Sequence, residues 1–447
     1  MSILQDKITD RSAHVAIIGL GYVGLPLAVA FAKAGFHTTG IDVNQGKVDA
    51  INAGRSYIPD VPDDDLSPHL QAGRLAASSD YDVLSDVDAV FICVPTPYDA
   101  QRAPDLSYIE AASESIRPRL RPGQLIVLQS TTYPGTTEEI VQPILEQSGL
   151  KAGADFHLAF SPERIDPGNK QWSAYNTPKV VGGLTPECTQ VAAELLRQMG
   201  APVHPVSSTH AAELTKLLEN TFRAVNIALV NELALLTERM GIDFWEVIEA
   251  ARTKPFGFMA FTPGPGVGGH CIPIDPYYLS WKAREYDYYT EFIELAGEVN
   301  QAMTHHVVNL TSQALSLQGK PLNGARVLVL GVAFKRDIDD ARNSPAERVI
   351  ELLLSQGARV SYHDPYVPSF RVGGDVFLRE LAILESVELT EAELAAADCV
   401  VIVTDHRTVD YGRVVRCARL IVDTRNTTAG LPSDEARIVR LGTPLPR

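Results

Sequence analysis

Long hydrophobic runs are missing from this 447-residue chain. No stretch of about 18 apolar residues occurs, which excludes a membrane-spanning helix. The opening segment, MSILQDKITDRSAH, has no apolar centre fit for a secretory leader, so a cytoplasmic protein is expected. Cysteine is scarce. Cys93, Cys188, Cys271, Cys399 and Cys417 are odd in number, scattered, and form no CxxC pair. That argues against a disulfide framework or a bound metal and fits a reducing compartment. Positive charge is also short: 39 Lys and Arg against 55 Asp and Glu give a net charge of −16. A general nucleic-acid binder is disfavoured. An anionic small ligand is not, because a helix N-terminus and a few basic residues hold phosphate locally.

The chain is too long for one core; at roughly 100–200 residues per domain, two or three domains are expected. Strand-like runs at His14–Gly19, His37–Asp42, Ala89–Val94, Leu125–Gln129, His157–Phe160 and Lys179–Val181 alternate with helical stretches such as Gly24–Gly35. That alternation predicts βαβ units and a parallel sheet. The pattern changes near Ser207. Thr209 to Met240 contains no Gly or Pro and reads as one long helix, apolar on most of its surface. Such a helix is expected to be buried between domains or against a second subunit. After a helical span to about Gln318, turn residues return at Gly319–Gly324. Alternation resumes with strands at Arg326–Leu330, Arg359–Tyr362, Cys399–Thr404 and Leu420–Val422 and a helix at Ala346–Gln356. The expected fold is α/β: two Rossmann-like doubly wound domains, 1–206 and 319–447, joined by a helical region, 207–318.

VAIIGLGYVGLP places Gly19, Gly21 and Gly24 in GxGxxG spacing, directly after a strand and at the start of a helix. The first glycine allows the tight turn, the second lets a pyrophosphate approach the backbone, and the third permits close helix–strand packing. The spacing alone is a weak signal. Asp42 strengthens it, ending the second strand near the ~20-residue offset expected for an acid that bonds the ribose hydroxyls. A carboxylate there repels a 2′-phosphate, so NAD is expected rather than NADP.

PGPGVGGHCIPIDPYYL carries Cys271 behind Gly264, Gly266, Gly268 and Gly269, where the backbone can approach a ligand closely. Asp275 follows four residues later. A thiolate is a strong nucleophile and a good leaving group from a thioester. On the long helix Lys216 and Asn220 share a face with Glu213 and Arg223. They can hold a substrate oxyanion; an ion pair between domains is the alternative. In FSPERIDPGN, Glu163 follows a strand end, where open α/β sheets bind ligands; a turn or capping role is equally open. In STTYPGT, Thr131 sits at the mouth of another strand.

GxGYVGLP, VPTP at Val94–Pro97, STTYPGT, SPER, AELTKLLENTF, GVGGHC…DP and GVAFKRDIDDARNSP occur in this order. Together they resemble the UDP-glucose/GDP-mannose dehydrogenase family over essentially the whole chain. The segments KPFGFMAFTPGPGVGGHCIPIDPYYLSWKAREY and SPERIDPGN are most similar to its UDP-N-acetylglucosamine 6-dehydrogenase branch. UDP-glucose and UDP-N-acetylmannosamine enzymes are the alternatives. The resemblance implies an NAD-binding N-terminal domain, a central dimerisation span, and a C-terminal domain that helps bind a UDP-sugar. It implies oxidation of the sugar C6 hydroxyl to a carboxylate by two NAD, supplying cell-surface polysaccharide synthesis, in a homo-oligomer that is at least a dimer.

On this resemblance Cys271 is the nucleophile and Lys216 and Asn220 stabilise the oxyanion. Asp275 and Thr131 organise water, and Glu163 is an acid/base or positioning group. The cofactor is expected at Gly19, Gly21, Tyr22, Val23, Gly24, Asp42, Lys47, Pro95, Thr96, Ser130, Thr131 and Arg342, the last from the same or a neighbouring subunit. The sugar nucleotide is expected at Glu163, Arg164, Lys216, Asn220, Gly266, Gly268, Phe334 and Lys335. Two departures point away from UDP-glucose. Pro167, preceded by Asp166, stands where many UDP-glucose enzymes have a second glutamate, and Ile274 stands where they often have lysine. A β-hydroxyacid dehydrogenase shares the Rossmann start and a Lys/Asn helix but needs neither the cysteine loop nor the second α/β domain. A catalytically silent NAD sensor would not need Cys271, Lys216 and Asn220 together.

Overall fold

A computed structural model of the chain describes residues 3–58, 60–99, 103–166, 168–169, 171–433 and 436–445. It divides into two compact units, 1–219 with 277–288, and 220–276 with 289–447.

The first unit is built on strands β1 (His14–Ile18), β2 (His37–Ile41), β3 (Leu75–Ser78), β4 (Ala89–Ile92), β5 (Leu125–Leu128), β6 (His157–Phe160), β7 (Lys179–Gly183) and β8 (Val203–Pro205). They form one sheet in the order β3-β2-β1-β4-β5-β6-β7-β8, parallel throughout except at β6–β7. Both faces are covered, so the strands read as unbroken apolar runs. In β1, Val15 and Ile17 pack with Leu27 and Phe31 on one face, while Ala16 and Ile18 pack with Ile92 and Ile126 on the other. The strand order reverses between β1 and β4, beside the turn that follows β1. Ligands bind at such switch points.

The central helix runs from Thr209 to Met240, the limits its sequence predicts. It is not buried all round. Ala212, Leu217, Ala224, Ala228, Asn231 and Ala234 are buried, whereas Leu214, Leu218, Phe222, Leu229, Leu233 and Leu236 are exposed, Leu218 by 63% and Leu229 by 53%. Of the two covers expected for this helix, other parts of the same chain bury the first group and not the second. The apolar residues fall into two stripes at helical spacing, and the described residues cover one of them.

The second unit holds β9 (Arg326–Leu330), β10 (Arg359–His363), β11 (Ser369–Val372), β12 (Ala382–Glu385), β13 (Cys399–Ile402), β14 (Leu420–Asp423) and β15 (Arg437–Arg440). Five of them form a parallel sheet, β10-β9-β13-β14-β15, and β11–β12 is an antiparallel pair. The helix Pro345–Ser355 has Ser344 as its N-cap and Pro at its first position. Val349 and Leu353 from its apolar face join the core with Val327, Val329 and Val401. Among the described residues no helix is long and apolar enough to cross a membrane.

Candidate active site

β1 ends in a turn at Gly19, whose φ of +92° suits glycine. A Cβ on Gly19 would lie 2.5 Å from the Cys93 carbonyl oxygen, and one on Gly24 only 1.8 Å from the Gly19 carbonyl oxygen. Packing within the protein fixes both glycines. At Gly21 a Cβ would meet nothing within 4 Å. Among the described residues no atom requires glycine there, which is the condition for a pyrophosphate to lie against the backbone at the start of the Gly24–Lys33 helix. That helix has no acid in its first turn and no side-chain cap. Tyr22 and Val23 lie between the two outer glycines.

Asp42 follows β2 and is 7% exposed. Its Oδ2 accepts the Leu20 N–H at 2.9 Å and its Oδ1 the Asn44 N–H at 2.9 Å, and Lys47 Nζ lies 3.2 Å from Oδ2. The acid is thus tied to the glycine turn. Tyr57 was not singled out by the sequence pattern. Its hydroxyl donates to the Leu20 carbonyl at 2.6 Å, and with Ser56, Ile58, Val61, Pro62 and Asp63 it lines a cavity of about 350 Å³. Nothing local in SYIPD announces this role. The ends of β4 and β5 are joined by Thr96 Oγ1 donating to the Thr131 carbonyl at 2.8 Å and Ser130 Oγ donating to Val94 at 2.8 Å. The Tyr278 hydroxyl donates to the Thr96 carbonyl. Pro95 is exposed beside them. These residues fit a nicotinamide dinucleotide: the turn leaves room for its phosphates, and Asp42 sits where its ribose hydroxyls need an acceptor.

Also in the first unit, Lys216 Nζ donates to the Glu163 main-chain oxygen at 2.6 Å. The lysine therefore meets a carbonyl rather than the carboxylate expected of an ion pair. The Glu163 carboxylate is buried against Lys179, Gln129 and two backbone N–H groups. Burial alone would raise its pKa, but the Lys179 charge and the Arg164 N–H outweigh it and hold the group below the ordinary glutamate range. Arg164 turns its guanidinium to Glu219, with Nη2 2.5 Å from Oε1. Glu213 is fully buried: it accepts Gly135 N–H at 2.6 Å, and Thr137 N–H at 3.0 Å and Oγ1–H at 2.7 Å, anchoring STTYPGT to the central helix. Arg223 is exposed. Asp166 accepts a hydrogen bond from Asn169, and Pro167 lies outside the described residues.

In the second unit Cys271 is exposed on a turn whose carbonyl accepts the Asp275 N–H at 2.8 Å. Asp275 is 1% exposed and accepts Asn220 Nδ2 at 2.5 Å. The structure thus joins Cys271, Asp275 and Asn220. It also changes the explanation of the glycines before them. A Cβ on Gly266 would lie 3.1 Å from the Asn300 carbonyl oxygen, one on Gly268 2.7 Å from Pro345, and one on Gly269 2.9 Å from the Phe334 ring. The close approach is to protein atoms. Phe334, expected at the substrate, packs beneath this loop. Asn343 Nδ2 donates to the Gly269 carbonyl at 3.2 Å. Arg342, expected at the cofactor, grips Asp340, with Nη2–Oδ2 at 2.6 Å. Lys335 is half-buried on the same loop. The sequence reading missed Arg425, two residues beyond β14, which fills the space a side chain on Gly264 would need. Its place at the C-terminal end of a parallel strand was the available signal. No cluster of metal-ligating side chains occurs among the described residues.

Models of the UDP-glucose/GDP-mannose dehydrogenase family match the chain throughout: the NAD binding domain at 13–200, the central domain at 210–302 and the UDP binding domain at 328–430. A UDP-N-acetyl-D-glucosamine 6-dehydrogenase of Pseudomonas aeruginosa is 41% identical over 359 residues, 80% of this chain and 84% of that one. A UDP-N-acetyl-D-mannosamine dehydrogenase of Pyrococcus horikoshii is 35% identical over 420 residues, 92% of this chain and 95% of its own. Among solved structures, the UDP-D-ManNAc dehydrogenase of Pyrococcus horikoshii matches with a TM-score of 0.86 at 33% identity, covering 96% of this chain and 99% of that chain. A UDP-glucose dehydrogenase from Pyrobaculum islandicum matches at 0.83 and 30%, covering 97% and 98%.

Proposed function

The chain belongs to the UDP-glucose/GDP-mannose dehydrogenase family, NAD-dependent nucleotide-sugar dehydrogenases, and from that premise we propose that it oxidises the C6 alcohol of UDP-N-acetylglucosamine to the carboxylate through a thioester on Cys271. The observation that carries the reading is the exposed thiol on a turn bonded to Asp275, itself buried against Asn220 at 2.5 Å. NAD, when bound, accepts the hydride in each of the two oxidations. Cys271 attacks the aldehyde left by the first and keeps it attached through the second. Lys216 and Asn220 offer N–H groups to the oxygen as it becomes negative. Lys216 is steadied by the Glu163 carbonyl and Asn220 by Asp275. Water held by Asp275 and Thr131 hydrolyses the thioester.

Three features support the N-acetylglucosamine nucleotide: the branch-like loop from Lys254 to Gly269, Ile274 before Asp275, and Pro167 in place of a second glutamate. A panel of UDP-sugars tests this. Two NADH per sugar and the highest kcat/KM on UDP-N-acetylglucosamine are expected. An equal or higher value on UDP-glucose overturns the sugar assignment, and one NADH per sugar overturns the thioester route.

We infer further that the exposed stripe of the central helix is covered by a second copy of the chain, since large exposed apolar surface marks an interface. Residues 1–206, 207–318 and 319–447 would then serve as cofactor, dimerisation and sugar-nucleotide parts. Light scattering on wild type and Leu218→Glu/Leu229→Glu tests this. A dimer or larger that dissociates in the variant is expected, and an active wild-type monomer at assay concentration overturns it.

A further inference from the structure

Lys179 is among the largest fully buried side chains of the protein, 2% exposed at the start of β7. Burying an ammonium costs several kcal/mol unless it is paired. Nothing in strand packing asks for lysine at this position, where Val180 and Val181 follow. Its partner is Glu163, with Nζ 3.2 Å from Oε2 and 3.4 Å from Oε1. The carboxylate is otherwise engaged: Oε1 accepts the Arg164 N–H at 2.7 Å and the Ile165 N–H at 2.9 Å, and Oε2 accepts Gln129 Nε2 at 2.8 Å. All of these contacts suit an acceptor-only carboxylate, and a protonated one would have to give up one of them.

The two backbone bonds fold the turn after Ser161, and that turn presents the Glu163 carbonyl to Lys216. Among the described residues, other groups also face or adjoin the carboxylate. Lys216 on the central helix and Lys179 on β7 are positive. Cys93 beyond β4 is neutral, since burial pushes its thiol up. The Arg164 side chain is taken by Glu219. Glu219, the acid that Arg164 brings near, is thus already paired.

We propose that Lys179 is a positioning residue of the dehydrogenase: it keeps Glu163 as a buried anion, so that Glu163 shapes its turn and aims Lys216 through the main-chain oxygen instead of exchanging protons with the substrate. This rests on the oxidation assigned above and chooses between the two roles left open for Glu163. Removing Lys179 alone leaves a buried carboxylate without its counter-charge, which takes up a proton near neutral pH. Removing Glu163 alone leaves a buried ammonium. Removing both charges together leaves two neutral side chains, and the amide oxygen of the glutamine in Glu163→Gln can still accept the backbone N–H groups.

The test uses full-length wild type, Lys179→Met, Glu163→Gln and the double variant, with kcat and KM measured across pH on the same UDP-sugar and NAD. Lys179→Met is expected to lose activity mainly in kcat at neutral pH and to regain part of it as pH rises and Glu163 ionises. The double variant is expected to be about tenfold or more better than Glu163→Gln, the coupling of two residues that act as a unit, and to lack that pH limb. A double variant no better than Glu163→Gln overturns the proposal, because Glu163 would then be needed for its own protons. A Lys179→Met pH profile parallel to wild type also overturns it. Where Lys179→Met does not fold, Glu163→Gln against the double variant decides. Wild-type protein that forms no NADH from any UDP-sugar would count against the oxidation itself, a separate failure.

Discussion

Gly19 follows β1 and Gly331 follows β9, the first strands of the two main sheets, and the turns they begin share the same backbone bonds. Gly19 N–H donates to Ile41 at 2.7 Å and Gly331 N–H to His363 at 2.9 Å. Their φ angles are +92° and +81°. A Cβ would lie 2.5 Å from a carbonyl oxygen in the first and 2.4 Å in the second. An aspartate follows the neighbouring strand in both, Asp42 after β2 and Asp364 after β10. Two residues into the turn they part. The first has Gly21; the second has Ala333, fully buried. Asp364 then closes over its own turn. Its Oδ2 accepts Val332 N–H at 2.7 Å, Ala333 N–H at 3.0 Å and His406 Nε2–H at 3.0 Å, and its Oδ1 accepts Tyr366 and Val367 N–H. His406 Nδ1 accepts the Asp337 N–H, which places the ring proton on Nε2. The same strand–turn geometry stays open where the second position is glycine and the acid does not close over it, as a bound dinucleotide would need. When both are filled by protein it becomes a brace. The braced turn carries Phe334 and Asn343, which support the cysteine loop.

The sharpest way to test this division of labour is to remove the chemistry the braced half supports. Cys271→Ser should keep UDP-sugar and NAD affinity but lose turnover on the order of 10³ or more, the scale on which a transition-state group is missed. The serine hydroxyl forms little nucleophile at neutral pH. Mass spectrometry should find aldehyde or a trapped ester in the variant, and a thioester on the Cys271 peptide in wild type stopped mid-reaction. Two NADH per sugar at near wild-type rate from Cys271→Ser would remove covalent catalysis. Next in size, Gly19→Ala and Gly331→Ala should each cost roughly 2–5 kcal/mol in denaturant unfolding, from the positive φ and the carbonyl clash together. Gly21→Ala should leave the unfolding midpoint within error and raise the KM for NAD. Equal destabilisation by all three would break the comparison.

Much of this was legible in the sequence because it follows from local patterns. Unbroken apolar runs located β1, β4, β5, β9 and β13, and the absence of Gly and Pro set both ends of the central helix. β3, β8, β11, β12 and β15 escaped because LAAS, VHP, SFRV, AILE and RIVR are short and lack such a run. The cysteine loop stood out in the sequence, but the cause of its glycines did not. Whether a glycine faces open space, as Gly21 does, or a phenylalanine ring, as Gly269 does, depends on what lies far away in sequence. Lys179 is hidden for the same reason: KVVGG reads as a strand with a charged first residue, and its partner Glu163 comes from another strand end. Asn220 was placed on one helix face with Lys216, yet its bond to Asp275 spans 55 residues.

The brace itself should titrate. Burial would raise the Asp364 pKa, but the His406 hydrogen bond and the backbone N–H donors hold it below the ordinary value of 3.8. A carboxylate depressed in the folded state adds stability that is present above its unfolded value and is lost as pH falls through the folded one. The loss therefore lies below 3.8. Asp364→Asn should cost about 1–3 kcal/mol at neutral pH, because its NH2 must then face one of the two pairs of backbone N–H groups that the carboxylate accepts. It should also flatten the acid limb of unfolding midpoint against pH. An acid limb as steep as that of wild type would assign it to other carboxylates.

The smallest effect expected is on cofactor choice, and it bears on the open half. Asp42 holds Leu20 and Asn44 N–H and keeps Lys47 Nζ at 3.2 Å. A 2′-phosphate brought to this strand end would meet the carboxylate first, so wild type should favour NAD over NADP. In Asp42→Ala the repulsion disappears and Lys47 loses its partner, leaving a cation where a 2′-phosphate would sit. The ratio of kcat/KM for NAD to that for NADP should fall by about tenfold, or ~1.4 kcal/mol. Part of the fall should come from a gain with NADP rather than only a loss with NAD. Asp42→Ala/Lys47→Ala separates the two contributions: it should lose the NADP gain and keep the NAD loss. Stability should change less in Asp42→Ala than in Asp364→Asn, since Asp42 serves one turn amide where Asp364 serves two and a buried histidine. An unchanged NAD to NADP ratio in Asp42→Ala would mean that the acid only folds the glycine turn, and the two halves would then differ at Gly21 alone.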